Sequence, residues 1–478
     1  MNTEIVFVSG IFNVLHPGHL RLLKYAREHG KRLVVGVISD DIAGYDAHVP
    51  ESLRLEAVRL NALVDEAILV TTSVPDVIAR LQPGVVVKGR EHVQRFNPEL
   101  AVLDEYKGRL LFSSGEVTFT SQDLIQRERQ PADSLNLHLP SDFLKRHKIA
   151  TPRLIDILES LAALKMVVIG DTIVDEYIAC EPLGLSGEDP TVVVTPISTN
   201  RFVGGAAVVA AHAANLGAQT ELISVIGDDE AGAYASNELR RLGVRAHLIS
   251  DDSRPTTVKQ RFRAQDKTLL RVSRLSQRSA DPHIQIQLIE STSHAMVGAN
   301  VLVFSDFNYG VLPQPVIDRV AAIGRDNAAV MSADSQSSSQ IGDISRYQNM
   351  TLIAATERET RLALKDSESG VNTVANALMV TTRCQHLLMK LGADGLIALT
   401  RQKGPREYEI DQVPAFNPSP RDVAGAGDSL LVLASLALAA GANIWEASVL
   451  GSLAAAAQVS RIGNSPLSPS DLLKELRG

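Results

Sequence analysis

SGIFNVLHPGHLRLL, residues 9–23, follows an aliphatic run, EIVFV, and opens a helical pattern. A strand therefore ends at Gly10 and a helix begins near Pro17. Proline suits a first helical turn, because its missing N–H would have no intrahelical partner there. His16 and His19 stand three residues apart with Pro17 and Gly18 between them. That spacing puts two imidazoles beside the exposed N–H groups of a helix N-terminus, where a phosphate binds best. Imidazoles so placed can donate to the oxygens of a pentavalent phosphorus as its negative charge builds. The chemistry suggested is attack on an α-phosphate, not hydrolysis by a histidine base. The plainer account is two histidines decorating a helix start, and the coincidence of strand, glycine, proline and both imidazoles weighs against it.

Outward from this turn, short aliphatic runs at 4–9, 33–38, 67–70 and 84–88 alternate with helical patterns such as 20–29 and 53–63. Strand alternating with helix implies a parallel sheet. Residues 1–130 thus read as one α/β domain, and the charged, proline-containing stretch 131–150 as a linker. Thr151 then caps a helix with Pro152 at its first position, and a second α/β domain runs over 151–478. Its strands are KMVVIG, ELISVIG, VLVFSD, AVMSAD, TLIAA and HLLMKLG, while TTVKQRFRA and TLLRVSRL pair as a small β-hairpin lid. Two domains also fit 478 residues, too many for one ordinary core.

The formal charge of -8 argues against the basic stripe a nucleic-acid surface needs. The most apolar stretch, 429–440, is short of the ~20 residues of a membrane span and reads as a buried helix. Neither nucleic acid nor membrane is expected as a partner. Cys180 and Cys384 are isolated, without metal or disulfide spacing, and the N-terminus lacks a signal-peptide pattern, so a cytoplasmic location is expected.

RDVAGAGDSLL, residues 421–431, carries the second chemistry. Gly425 and Gly427 let backbone N–H groups close on a phosphate at a helix start, and Asp428 sits where it can take a proton from an attacking hydroxyl. VGGAA at 203–207, GDDEAG at 227–232, KLGADG at 390–395 and an alanine-rich helix ending near Gly463 accompany it.

These motifs carry two resemblances. Over roughly residues 1–130 the chain resembles the cytidylyltransferase-like superfamily, whose pattern is GxFDxxHxGH, with Asn13 where that family has Asp. VVGVISD with Ser39 and Asp40, the helix carrying Arg54, VVVKGRE and FTSQDLIQ extend the match. The resemblance implies His16 and His19 as catalytic, and Gly10, Phe12, Asn13, Gly18, Lys88, Gly89, Thr120 and Ser121 as nucleotide contacts. The loop DDIAGYDAHVP lacks the lysines that similar relatives carry there. Over 150–478 the chain resembles the PfkB or ribokinase family. That implies Asp428 as catalytic base, Gly425, Ala426 and Gly427 as anion hole, and Lys390 and Gly392 at the nucleotide. It further implies Glu359 at a metal, and Asp175, Glu188, Gly204, Gly205 and Asp306 at the sugar. Within that family GDTIVDEY, LSGEDP, FVGGAA and FSDFNYG look most like the kinase half of the bifunctional ADP-heptose synthases, here with the domain order reversed. Val208, Thr356 and Tyr309 depart from the family's Asn, Asn and Lys.

The resemblances imply a kinase phosphorylating a sugar or sugar phosphate at O1, and a nucleotidyltransferase capping the 1-phosphate with release of pyrophosphate. They imply ATP for the kinase, ATP or CTP for the transferase, Mg²⁺ for both, and optionally a monovalent cation at the kinase site. Partners would be sugar phosphate and nucleotides, with a second copy in a homodimer. Two other readings stay open: a kinase for another sugar joined to a CTP-dependent polyol or sugar phosphate cytidylyltransferase, and a sensor that binds without turnover.

Overall fold

A computed structural model describes residues 2–15, 17–89, 97–112, 137–186, 189, 191–264, 267–337, 342–402, 408–461 and 463–477. The chain divides into two compact units, Met1–Ser134 and Leu135–Gly478.

In the first unit β1 (Asn2–Gly10), β2 (Arg32–Ile38), β3 (Glu66–Val70), β4 (Pro83–Lys88) and β5 (Arg109–Phe112) form a parallel sheet in the order β3-β2-β1-β4-β5. Successive side chains alternate between its faces. Val6, Val8 and Val35 pack with Leu23 of α1 (Pro17–Arg27) on one face; Ile5, Phe7 and Val86 pack with Ile78 and Leu103 on the other. Burial on both sides is why these strands read as unbroken aliphatic runs. The chain steps outward from β1 to β3, then returns to β4 on the other side of β1. Such a switch point opens a crevice at the carboxyl ends of β1 and β4, the usual ligand position in open α/β sheets.

In the second unit β6 (Lys165–Gly170) leads into two 14-residue strands, β7 (Thr172–Leu185) and β8 (Val192–Gly205). Then come β9 (Gln219–Ile226), β10 (Arg245–Ser250), β11 (Thr257–Ala264), β12 (Lys267–Arg274), β13 (Val301–Asp306) and β14 (Val330–Ser335). They are followed by β15 (Leu352–Thr356), β16 (His386–Lys390), β17 (Leu396–Arg401) and β18 (Tyr408–Val413). Nine strands make one sheet, β10-β9-β6-β13-β14-β15-β16-β17-β18, parallel up to β16 and antiparallel beyond it. The helices Ala206–Asn215, Ala426–Ala439 and Ile444–Val459 pack through Ala210, Leu431 and Leu450 in a core on one face. Ile317, Val320 and Leu378 belong to the opposite core. The stretch 429–440 is thus the interior helix its composition suggests. No helix among the described residues is long and apolar enough to cross a membrane. Cys180 and Cys384 are buried free thiols, and burial pushes Cys384 up to about 11, which keeps it an inert thiol.

Three boundaries differ from the sequence reading. The lid is a four-stranded sheet, β12-β11-β7-β8, so the β11–β12 hairpin rests on a longer β7–β8 hairpin that the reading did not include. Val174 and Val258 pack with Ala231 and Ala235 and root the lid in the unit. From Ser141 the stretch read as linker is helix Ser141–Arg146, whose Phe143 is 1% exposed within a core of the second unit. Phe143 and the His147 ring both pack against Trp445, a gain in buried area that a free linker would forgo. The next helix starts at Thr151 with Ala150 in the cap position, one residue earlier than read, and no side chain caps it.

Candidate active sites

At the first site β1 delivers Gly10 to the turn before α1. Phe12 adopts φ 56°, sparsely populated for a bulky side chain, and is held there by burial. Its ring would stand 3.1 Å from a β-carbon at position 10, so the Phe12 ring packs closely over the bare Gly10. The Phe12 and His19 rings lie 5.0 Å apart, and His19 Nδ1 donates to the Val14 carbonyl at 3.1 Å, which fixes the imidazole's tilt on the first turn of α1. Gly18 is in that same turn. His16, Thr120 and Ser121 lie outside the described residues.

Asn13 is a latch. Its Nδ2 donates to the Asp46 carbonyl at 2.7 Å, while Oδ1 accepts from the N–H of His48 at 2.8 Å and of Val49 at 3.3 Å. Arg54, 1% exposed, donates to the carbonyls of Val49, Ile11 and Ile38 and to the Asp40 carboxylate. Its hydrogen bond holds Asp40 below the usual carboxylate range. The lysine-free loop is therefore pinned from both ends by internal hydrogen bonds. Lys88, at the end of β4 beside Gly89, pairs with the nearly buried Glu99 at 2.9 Å.

At the second site Gly425 takes φ 77° ahead of the 14-residue helix Ala426–Ala439, whose first turn holds Asp428. An added β-carbon at Gly427 would stand 3.1 Å from Lys390 Nζ, so the ammonium lies close against the turn. Lys390 closes β16 and donates to Asp334 Oδ2 at 2.9 Å; Gln336 Nε2 donates to Asp428 Oδ1 at 3.0 Å. Gly392, just beyond, is exposed with φ 65° and open space where a side chain would be. Glu359 accepts from the N–H of Ser337 at 3.1 Å and of Thr356 at 2.7 Å, and Thr356 returns a hydroxyl to Glu359's own N–H. Threonine at 356 thus completes a capping box, a helix-start role open to Asn as well.

On lid strand β7 Asp175 is 4% exposed, paired with Arg261 of β11. A β-carbon at Gly204 would come within 2.3 Å of its Oδ2, so only glycine admits the carboxylate there. Gly205, at φ 62°, passes equally close to the Asp171 carbonyl. Tyr177 donates to Asp422 Oδ2 at 3.2 Å, tying lid strand β7 to the loop that leads into the Gly425 turn. Glu188 lies outside the described residues. Asp306 is 1% exposed and accepts from Tyr347, Ser335 and the N–H of Asn308, so its contacts are internal ones. Val208 is fully buried yet belongs to neither large apolar core of the unit.

Residues 163–471 match the model of the pfkB family of carbohydrate kinases. The chain belongs to that family. Residues 7–135 match the cytidylyltransferase-like model. Curated relatives include the bifunctional protein HldE of Rhodopseudomonas palustris strain HaA2, 31% identical, and that of Helicobacter hepaticus, 29% identical. The matches cover 67% and 65% of this chain and 65% and 63% of those proteins, so the chain spans just under two thirds of the relatives' length. Among solved structures, phosphofructokinase-2 of Escherichia coli in complex with potassium superposes with TM-score 0.55 at 16% identity, covering 66% of this chain and 98% of that one. Ribokinase of Thermotoga maritima does so with TM-score 0.53 at 18% identity, covering 66% and 100%. At such identity these likenesses establish the fold. The chain is a transferase with a carbohydrate-kinase unit and a cytidylyltransferase-like unit.

Electrostatics sharpen the pfkB unit. Burial, and then the Asp334 charge, push Asp428 up to about 7, where a carboxylate can accept a proton and release it again. Burial also pushes Asp334 up to about 6 against the pull of Lys390. Burial alone would discharge Lys390, but Asp334 and Glu359 outweigh it and keep the ammonium. Burial would likewise raise Glu359; Lys390 and the backbone N–H groups hold it low instead. Asp334, Gln336, Arg261 and Tyr177 were absent from the sequence reading. Only Asp334 had a visible signal, an acidic residue at a strand's carboxyl end.

Proposed function

We propose that the chain makes a nucleotide-activated sugar of the ADP-heptose type in two steps. In the pfkB unit the sugar O1 hydroxyl gives its proton to Asp428 and attacks the γ-phosphorus of ATP; the bond to the β-phosphate oxygen breaks and ADP leaves. The N–H groups at Gly425, Ala426 and Gly427, with Lys390 against the turn, face the charge that builds on the transferred group. Asp175, between Gly204 and the lid, would take a sugar hydroxyl. Asp334, whose second carboxylate oxygen is buried without a partner, and Glu359 fit a magnesium ion arriving with the nucleotide, since that ion keeps most of its waters and takes few protein carboxylates. When bound, Mg²⁺ offsets phosphoryl charge. A monovalent cation beside the anion hole remains part of the reading.

In the N-terminal unit the sugar 1-phosphate oxygen attacks the α-phosphorus of ATP or CTP, pyrophosphate leaves, and His16 and His19 stabilise the developing charge. Gly10, Gly18, Lys88, Gly89, Thr120 and Ser121 would line the nucleotide. A homodimer and a cytoplasmic setting complete the proposal.

The observation that carries it is Asp428, buried beside a glycine turn with a proton affinity matched to neutral pH. The test is turnover with ATP and a panel including heptose 7-phosphate, fructose 6-phosphate and ribose, followed by pyrophosphate release with ATP and CTP. Phosphate transfer to O1 of the heptose, then adenylylation, is expected. Transfer to another sugar with CTP use favours the alternative of a kinase for that sugar joined to a polyol or sugar phosphate cytidylyltransferase. No turnover with any acceptor sinks both and leaves a sensor.

A further inference from the structure

Asn464 follows the left-handed turn at Gly463, beyond the helix Ile444–Val459, and its residue is 6% exposed. It stands between the two halves of the kinase site. Nδ2 donates to Asp175 Oδ2 at 3.5 Å, while Oδ1 lies 2.5 Å from where a β-carbon on Gly425 would be. The contact with Asp175 sets the amide's orientation, because Oδ1 turned that way would face a carboxylate with no proton to share. Oδ1 is left buried and without a hydrogen-bond partner. A buried amide oxygen without a donor is costly and uncommon in folded proteins. The turn itself is held by Gln458, which donates to the Gly463 carbonyl at 2.9 Å.

We infer that Asn464 is a specificity-determining residue of the kinase site, its Oδ1 accepting a hydroxyl of the acceptor sugar next to the hydroxyl that Asp175 takes. The inference rests on the sugar-kinase reading above. A carboxylate and an amide oxygen side by side, at the edge of the anion hole, select an acceptor with two neighbouring hydroxyls, one of them close to the phosphoryl group in transfer. Arg261, paired with Asp175, and Tyr177, on Asp422, cover this corner from the lid. The sugar therefore reaches Asn464 when β11 lifts, and its hydroxyls replace the internal contacts.

The test compares the full-length parent with Asn464→Ala, using whichever of heptose 7-phosphate, fructose 6-phosphate and ribose the parent phosphorylates best, together with its singly deoxygenated analogues. Asn464→Ala is expected to raise KM for that acceptor ~10-fold or more and to erase the parent's discrimination against one deoxy analogue, since a polar site rejects a ligand that leaves its groups unpaired. KM for ATP should stay within about twofold, because general packing damage would not spare it. An equal loss on every analogue, a loss confined to ATP, or no change overturns the inference. Should the alanine variant fail to fold, Asn464→Ser, smaller but still an acceptor, is read by the same ratio. Discrimination retained by serine supports the inference, and discrimination already absent in the parent overturns it. A parent that phosphorylates none of the three acceptors removes the kinase reading itself, and this inference with it.

Discussion

Asp428 and Asn13 are the single side chains on which the proposed chemistry of the two units turns. Folding pushes Asp428 above its unfolded value, so the folded state prefers the proton and the buried charge costs stability as pH rises. Asp428→Asn should therefore stabilise the protein increasingly between about pH 4 and pH 7, levelling off above, as thermal melts across that range would record. The same variant should lose ~10² or more in sugar phosphorylation. In the parent, kinase kcat/KM should fall as pH drops below about 7, where Asp428 takes up its proton. A flat profile to pH 5 would remove Asp428 as the base. Asn13→Asp replaces a donor to the Asp46 carbonyl with a second acceptor, setting two oxygens against each other at 2.7 Å. KM for the nucleotide in pyrophosphate release should rise ~5-fold or more, in line with one lost buried hydrogen bond, and an unchanged KM would show that the loop does not shape the site. The place of Asp428, in the first helical turn behind a left-handed glycine, was legible because glycines and acid stand in one short string. The work of Asn13 was not, because its partners at 46–49 are brought to it only by the fold.

Among the elements, the parallel strands were legible for a physical reason: buried on both faces, they have to be aliphatic throughout. The lid was half legible. β11 and β12 read as a hairpin, but β7 and β8 carry Asp175, Glu176 and Tyr177 among their apolar residues and were taken as motif segments. Asp175 and Tyr177 share one face of β7, while Val174 and Val258 anchor the other, which Glu176 shares. The helix Ser141–Arg146 was missed because a single buried aromatic, Phe143, outweighs the charged residues around it. Tyr177 ties the lid to the loop before the Gly425 turn through one hydrogen bond, worth about 1 kcal/mol. Tyr177→Phe should therefore lower kinase kcat about 5-fold while leaving pyrophosphate release from the other unit as it was. Equal losses in both activities would mean that the substitution acts on folding rather than on the lid.

For the molecule as a whole, two compact units, Met1–Ser134 and Leu135–Gly478, carry sites whose order along the chain is the reverse of the order in which the proposed steps run. The account requires the kinase unit to make what the other unit consumes, with separable residues behind each step. The most direct measurement quantifies nucleotide sugar formed from heptose 7-phosphate in Asp428→Asn, in the His16→Ala, His19→Ala double variant and in the parent, with and without added heptose 1,7-bisphosphate and, in a further arm, its 7-dephosphorylated form, the supplied sugar being radiolabelled in each arm. The parent should make nucleotide sugar from a 1-phosphate whose nature that arm identifies. Asp428→Asn should make it only when a 1-phosphorylated sugar is supplied, and the double histidine variant should stop at the 1-phosphate. If Asp428→Asn makes no nucleotide sugar from any supplied 1-phosphate while the parent does, or if the double histidine variant matches the parent, the division of labour between the units is contradicted.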